Sequence, residues 1–268
     1  MPSLAPLYRL AVDDVIYSFR DLTQRQPASL FDSPFLGMLR EIHRTYGAKI
    51  TLNLFYQTHE GDFSLEEFPA RYRSEWQENA AWLRLAFHAR QEFPDRAYAG
   101  PELVAFARDY YDIRREVMRF AGPESWTPPC LIHFCTIPEQ SLKTLAGWGV
   151  RNLAGLFFKT DTGWDIDYGL SPALAERAAR NEQVLEEASG ITFSRVDLVI
   201  NNCPLEQIPA ELERGEGTPA RARKIDLLTH EQYSWPFYPA FIPEHAERIA
   251  AACRWCVERG YQPAFFNA

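Results

Sequence analysis

Short apolar runs alternate with longer stretches of helical period along the chain. The runs at 8–12, 49–56, 82–88, 130–135, 152–158, 196–201, 224–229 and 262–266 read as strands. Between them, Leu103, Phe106, Ala107, Tyr110, Val117 and Phe120 recur at helical spacing behind Pro101, and Gly122 closes the segment. Pro138 and Gly147 bracket the next helix. Ser171 and Pro172 open one that extends to near Gly190, and Pro243 and Gly260 bound the last. Seven or eight β-then-α units without a Gly-, Ser- or Pro-rich linker predict the α/β class, as a single distorted (β/α) barrel with seven or eight parallel strands forming one domain over residues 1–268. An open doubly wound sheet is the alternative. The glycine-rich or Walker turn it would carry after its first strand is missing. The polar stretch 159–169, KTDTGWDIDYG, reads as a loop or hairpin inserted after the fifth strand.

Composition narrows the function classes. With 46% hydrophobic and 24% charged residues in a chain of 268, a packed core is expected and disorder is not. A net charge of -8, without a Lys/Arg cluster, argues against a nucleic-acid partner. No run of about 18 apolar residues predicts a membrane span. The first residues lack the basic start and apolar stretch of a Sec signal, and five widely spaced cysteines point to reduced thiols, so a cytoplasmic setting is expected. Aromatic residues reach 14%, serving either a rich core or the stacking of ring-bearing ligands.

A barrel of this kind builds its active site at the C-terminal ends of its strands, so the residues where each apolar run stops are the candidates. They are Asp13 and Asp14, His88, His133 within the fourth run, Asn201 and Asn202, and His230 with Glu231. Two adjacent carboxylates behind a buried strand repel each other unless a cation or a proton relieves them. One can then ligate a metal while its neighbour acts as a base, and each is equally suited to capping the loop beyond. His88 and His230 end apolar runs and could each be satisfied core histidines, but their depth matches that of the Asp pair. His133 interrupts an apolar strand, where the pleat could point it into the barrel.

The order AVDD, then LAFHA, then LLTHE is similar to the polysaccharide deacetylase superfamily, also called the NodB-homology or carbohydrate esterase family 4 fold. The resemblance spans residues 8–266 in topology. It implies a distorted (β/α) barrel that removes acyl groups from N-acetylated sugars with a divalent metal such as Zn, Mn, Fe or Co. By position, Asp13 looks like the catalytic base, Asp14 like a metal-ligating Asp, His88 like the first metal-ligating His and His230 like the His that acts as general acid. Val15 stands where the family usually has Gly, and Glu92 stands where its second metal-ligating His would be. The family's arginine- and tryptophan-containing middle motifs are not recognisable, so the chain resembles a divergent branch. The third ligand is left between Glu92, since a carboxylate can hold such a metal, and His133.

Carbohydrate or another small molecule is the expected partner. The stretch 231–241, EQYSWPFYPAF, sets Tyr233, Trp235, Phe237 and Tyr238 just past His230, as a packed lid or a sugar platform. Trp235, Tyr238, Glu231 and Asn201 are the candidate substrate contacts. Cys253 and Cys256 fall on the buried face of a helix and Cys130 and Cys135 in the core. His43 reads as a surface or satisfied residue, His59 as a remote substrate contact and His245 as exposed. Two other functions compete with a metal-dependent deacetylase. One is a metal-free glycoside hydrolase pairing Asp13 or Asp14 with Glu231, and the other is a catalytically degenerate carbohydrate-binding barrel.

Overall fold

The computed structural model describes residues 5–100, 102–138, 140–214 and 223–267; Pro101 and the first four residues lie outside the described residues. The strands are β1 (Leu7–Val15), β2 (Ile50–Phe55), β3 (Leu83–Ala89), β4 (Asn152–Gly155), β5 (Phe158–Thr160), β6 (Gly163–Asp165), β7 (Val184–Glu186), β8 (Ile191–Arg195), β9 (Leu198–Val199), β10 (Lys224–His230) and β11 (Gln262–Pro263). The main sheet runs β3-β2-β1-β10-β9 with every pair parallel, and β11 lies beside the start of β1. A second sheet runs β4-β8-β7, with β4 parallel and β7 antiparallel to β8. Parallel strands covered on both faces need near-continuous apolar runs, and β1, β2 and β10 are buried almost throughout.

The two sheets meet at seams crossed by single backbone bonds. Thr127 N donates to Leu85 O at 2.9 Å and Ala154 N to Cys130 O at 2.8 Å on one side; Asp197 N donates to Asp226 O at 2.8 Å on the other. The result is a distorted (β/α) barrel whose ladders are interrupted at both seams. Helices Tyr17–Arg25, Pro34–Tyr46, Leu103–Phe120, Pro172–Ala179 and His245–Glu258 are among those that succeed the strands. Helix Pro34–Tyr46 starts on a proline and ends on Gly47, whose φ of 67° closes it in the left-handed region.

Several elements differ from the sequence pattern. Residues 130–135 are not a ladder strand. Pro128 and Pro129 enter the segment without N–H donors, and it ends in a tight turn, His133–Cys135, with φ of 51° at Phe134 and 49° at Cys135. The helix opened by Pro172 stops at Ala179 rather than near Gly190, and the intervening chain forms the β7–β8 hairpin. Pairing expected over 196–201 is confined to Leu198–Val199, because a 3₁₀ turn takes over at Ile200–Asn202 and the longer ladder, β8, lies just upstream. Within the run 152–158, β4 ends at Gly155, and Phe158 with the polar stretch beyond it forms the β5–β6 hairpin. Only Gln262–Pro263 of the run 262–266 pair.

The barrel base is ionic. The buried Asp226 carboxylate accepts from Arg9 Nε at 2.6 Å, Arg9 Nη2 at 2.7 Å and Ser194 Oγ at 2.7 Å, and also from Lys224 Nζ. Phe266 lies across the Arg9 guanidinium, 4.3 Å from ring centroid to Cζ. Burial works against this carboxylate, but Arg9 and Lys224 outweigh it and hold Asp226 well below the usual carboxylate range. Four residues further along each of the same strands from Arg9 and Asp226 lie Asp13 and His230, at the opposite end of the barrel. Among the described residues, no helix is long and apolar enough to cross a membrane.

Candidate metal centre

Consecutive residues on a strand point to opposite faces, so Asp13 and Asp14 should not share a cavity. A bulge makes them share one. Val12 pairs with Leu52 but Val15 with Leu54, which inserts one extra residue into β1, and Asp14 absorbs the kink at φ 60°. Asp is among the few residues that tolerate this left-handed conformation. The neighbouring ladder slips as well, from Leu54–Phe87 to Phe55–Ala89, so that His88 falls out of the pairing. Asp13, Asp14, His88, Glu92, His133 and His230 all line one cavity of about 330 Å³, with Leu131, Phe134 and Leu228 among its apolar walls.

Three ligand atoms converge in it. Asp14 Oδ1 lies 3.1 Å from His88 Nε2 and 3.5 Å from His133 Nδ1, and the two ring nitrogens lie 3.2 Å apart. The other nitrogen of each ring faces a backbone carbonyl, His88 Nδ1 at 2.9 Å from Leu131 O and His133 Nε2 at 2.8 Å from Glu92 O. A carbonyl only accepts, so those nitrogens carry the hydrogens, and the neutral rings turn lone pairs toward each other and toward Asp14. Such an arrangement needs a proton or a cation at its centre. Burial works against a charged His88, yet Asp13 and Asp14 outweigh it and raise the imidazole to about 9. Burial would likewise raise Asp14, but His133 and His88 hold it well below the ordinary range.

The donor set fits a divalent metal. Asp14 Oδ1 is a fully buried oxygen without a well-directed hydrogen-bond donor, and its other oxygen is fixed by Gln232 Nε2 at 2.7 Å. Two imidazoles and a carboxylate with room for a further ligand suit a catalytic Zn, Fe or Co site. The carbonyls of Leu131 and Glu92 orient the rings from behind, as outer partners of metal-ligating histidines do.

Asp13 stands apart from this triad. Asn53 Nδ2 holds its Oδ1 at 2.6 Å, and its Oδ2 lies 3.8 Å from His88 Nε2. Burial pushes the Asp13 carboxyl up, more than His88 and His230 draw it down. His230 is the register partner of Asp13 across the β1–β10 ladder, and its Nδ1 rests 2.9 Å from Asn201 Oδ1.

Not every expected residue reaches the cavity. The Glu92 side chain lines it, but its carboxylate is not among the converging ligand atoms. His133 reaches the triad from the tight turn rather than from a strand pleat. Glu231, expected to touch substrate, is fully buried. Its carboxylate accepts from Ile16 N, Tyr17 N and Ser18 N at 2.6 to 2.8 Å, so it caps helix Tyr17–Arg25 and cannot face Asp13 or Asp14 as a glycosidase partner. Trp235 is buried outside the lining of this cavity, with Nε1 3.3 Å from Glu231 Oε1, and Asn201 meets His230 from outside the lining. Tyr238 and Tyr233 do line the cavity. His245 is 2% exposed rather than on the surface, because two hydroxyls satisfy its ring. His43 stacks on Trp82 at 4.4 Å and His59 meets Phe93 edge-on at 4.7 Å. Asn53 and Gln232 were not singled out by the sequence pattern. Asn53 left a signal, as the lone amide inside the apolar run ITLNLF.

No family model matches the chain, and neither does any curated protein. Solved structures to which it is similar include the Bc1960 peptidoglycan N-acetylglucosamine deacetylase, at 11% identity and TM-score 0.49 over 98% of this chain and 87% of that one. A putative polysaccharide deacetylase from Mycobacterium smegmatis is similar at 13% identity and TM-score 0.48, over 100% and 88%. The Xyl-CE4 domain of a multidomain xylanase from the hindgut metagenome of Trinervitermes trinervoides is similar at 12% identity and TM-score 0.45, over 98% and 88%. The likeness of this chain to these solved structures is one of low identity. At these identities and scores it adds nothing to the chemistry, which this chain's own side chains must supply.

Proposed function

We propose that the protein is a metal-dependent hydrolase, one domain over residues 1–268, that removes the acyl group from an N-acylated carbohydrate or a related amide. The observation that carries this is the convergence of Asp14, His88 and His133 ligand atoms within 4.8 Å, in a cavity that also holds Asp13 and His230. Asp14, His88 and His133 would hold the ion; Zn, Mn, Fe or Co, when bound, supplies Lewis acidity toward water and an acyl carbonyl. Asp13 takes a proton from the attacking water at Oδ2, since Asn53 occupies Oδ1. His230, its Nδ1–H held by Asn201, takes up a second proton at Nε2 and gives that proton to the departing amine. Gln232 Nε2 holds the second Asp14 oxygen, Oδ2, leaving Oδ1 to the ion. Tyr233 and Tyr238 offer rings at the cavity wall against which a sugar can pack. The five cysteines are buried thiols, which supports a cytoplasmic setting.

The test is elemental analysis of the purified protein, joined to carboxylate release from an N-acetylated oligosaccharide before and after chelation. The expected result is about one divalent ion per chain and activity that chelation removes and metal restores. A protein that takes up no divalent ion when supplied in excess overturns the proposal and moves the degenerate binding barrel ahead.

A further inference from the structure

Behind His230 lies a second buried histidine that the proposed chemistry does not use. His245 opens helix His245–Glu258, with Nε2 2.6 Å from Thr229 Oγ1 and Nδ1 2.6 Å from Ser234 Oγ. Thr229 Oγ1 is in turn 3.3 Å from Asn201 Oδ1, the oxygen that also meets His230 Nδ1. Asn201 Nδ2 donates to Asn202 Oδ1 at 2.9 Å, which sets the amide with its oxygen toward this group.

With Asn201 in this orientation and His245 neutral, one placement of hydrogens satisfies every contact. Asn201 Oδ1 can only accept, so His230 carries its hydrogen on Nδ1 and the Thr229 hydroxyl donates to the same oxygen. Having spent its hydrogen, Thr229 must accept from His245 Nε2. His245 Nδ1 then holds a lone pair, which takes the hydrogen of Ser234. The scheme requires a neutral His245. Burial first, then His230 and Arg248, push its pKa down to about 4.

We infer that Ser234, His245, Thr229 and Asn201 form a one-way hydrogen-bond chain that fixes His230 as the Nδ1–H tautomer and leaves Nε2 to the cavity. His245 is thereby a positioning residue, acting through two neighbours. Its significance for turnover rests on the function proposed above, but the tautomer can be read without any turnover.

The experiment is ¹⁵N NMR of the histidine side chains in the full-length protein near pH 7, repeated on variants. In the wild type, His230 should show the Nδ1–H signature and His245 the Nε2–H signature. Thr229→Val removes only the hydroxyl that links the two rings, and His245→Leu removes the donor behind it; each loosens the hold on the Asn201 amide, which can then turn Nδ2 toward His230, and should shift His230 toward the Nε2–H form. Either change should lower kcat on the order of tenfold with KM nearly unchanged, the lower end for lost orienting partners. His245→Gln offers an N–H and a carbonyl in place of the ring nitrogens and should restore the Nδ1–H signature. If His245→Leu does not fold, Thr229→Val decides. A wild-type His230 in the Nε2–H form, or one that stays Nδ1–H in Thr229→Val, overturns the chain. A tautomer shift with unchanged kcat upholds the chain and removes His230 from the proposed chemistry.

Discussion

Replacing His133 by Ala separates the two ligand sets that the sequence left open. The structure puts His133 Nδ1 at the point where Asp14 Oδ1 and His88 Nε2 meet, while Glu92 contributes only its backbone carbonyl to that arrangement. Loss of an outer partner of a metal-ligating histidine costs 10- to 100-fold in affinity, so loss of the ligand itself should cost at least about 100-fold. Metal held at about 100 times the wild-type Kd stabilises the folded state by about 2.7 kcal/mol. For 268 residues, an unfolding entropy of about 2.1 cal/mol/K per residue converts this to a rise in Tm of about 5 °C. With affinity lowered 100-fold, the same metal concentration stabilises His133→Ala by about 0.4 kcal/mol, a rise of less than about 1 °C. Glu92→Gln should keep the full wild-type rise. The assay is thermal unfolding of each protein with and without metal, the metal-free melt of each variant serving as its own reference. A full rise in His133→Ala together with a lost one in Glu92→Gln would refute the assignment.

The geometry carries three further expected outcomes. His230→Asn should keep the melting temperature close to wild type and lower turnover by about two to four orders of magnitude, with a smaller loss on substrates that have better leaving groups; a destabilised but fully active variant would remove the residue from the mechanism. Glu231→Ala leaves three buried N–H groups at the start of helix Tyr17–Arg25 without an acceptor, at about 1 to 3 kcal/mol each, so denaturant unfolding should show a loss of about 3 kcal/mol or more with activity per folded molecule preserved. Asp226 has a depressed pKa, so the stability it contributes is complete above its ordinary value of 3.8 and is lost as pH falls toward its folded value. Asp226→Asn should be about 3 to 5 kcal/mol less stable at pH 7, where Arg9 and Lys224 lose a buried counter-charge, and that deficit should shrink in urea unfolding at pH 3; a deficit independent of pH would contradict this.

The sequence disclosed the strand ends because parallel strands covered on both sides must be apolar, so any polar residue at the end of such a run is conspicuous. Asp13, Asp14, His88 and His230 were all visible in this way. The direction the chain takes beyond a strand end was not. The pattern could not say that Glu231, one residue past His230, turns away from the cavity to meet the backbone of helix Tyr17–Arg25, because its partners are more than 200 residues distant. His133 stood out as an interruption, but the turn that delivers it depends on positive φ at two non-glycine residues, Phe134 and Cys135. The β7–β8 hairpin was hidden by short strands with exposed positions, and the helical pattern before it simply ran on. His245 read as exposed because it begins a helix after a proline; the hydroxyls that bury it come from strand β10 and the loop after it.

Asp13 and Asp14 illustrate how much one inserted residue can do. In a regular strand they would face opposite sides, one toward the interior and one toward the surrounding helices. The bulge turns both inward, at the cost of a left-handed φ at Asp14 that tertiary contacts must sustain. Once inside, they meet different partners. Asp14 faces two imidazoles and is held well below the ordinary carboxylate range, so it stays an anion suited to a cation. Asp13 is hydrogen-bonded by the neutral amide of Asn53, is raised by burial, and so can take up a proton more readily. Paired groups whose surroundings drive their pKa values apart are how a site divides ligand from base. Swapping the two environments, rather than the two residues, is therefore what would exchange their roles: Asn53→His would give Asp13 a partner that can carry charge and should draw its pKa down. A carboxylate raised above its ordinary range is the stronger base, so the variant should lose turnover at a given pH while keeping its metal.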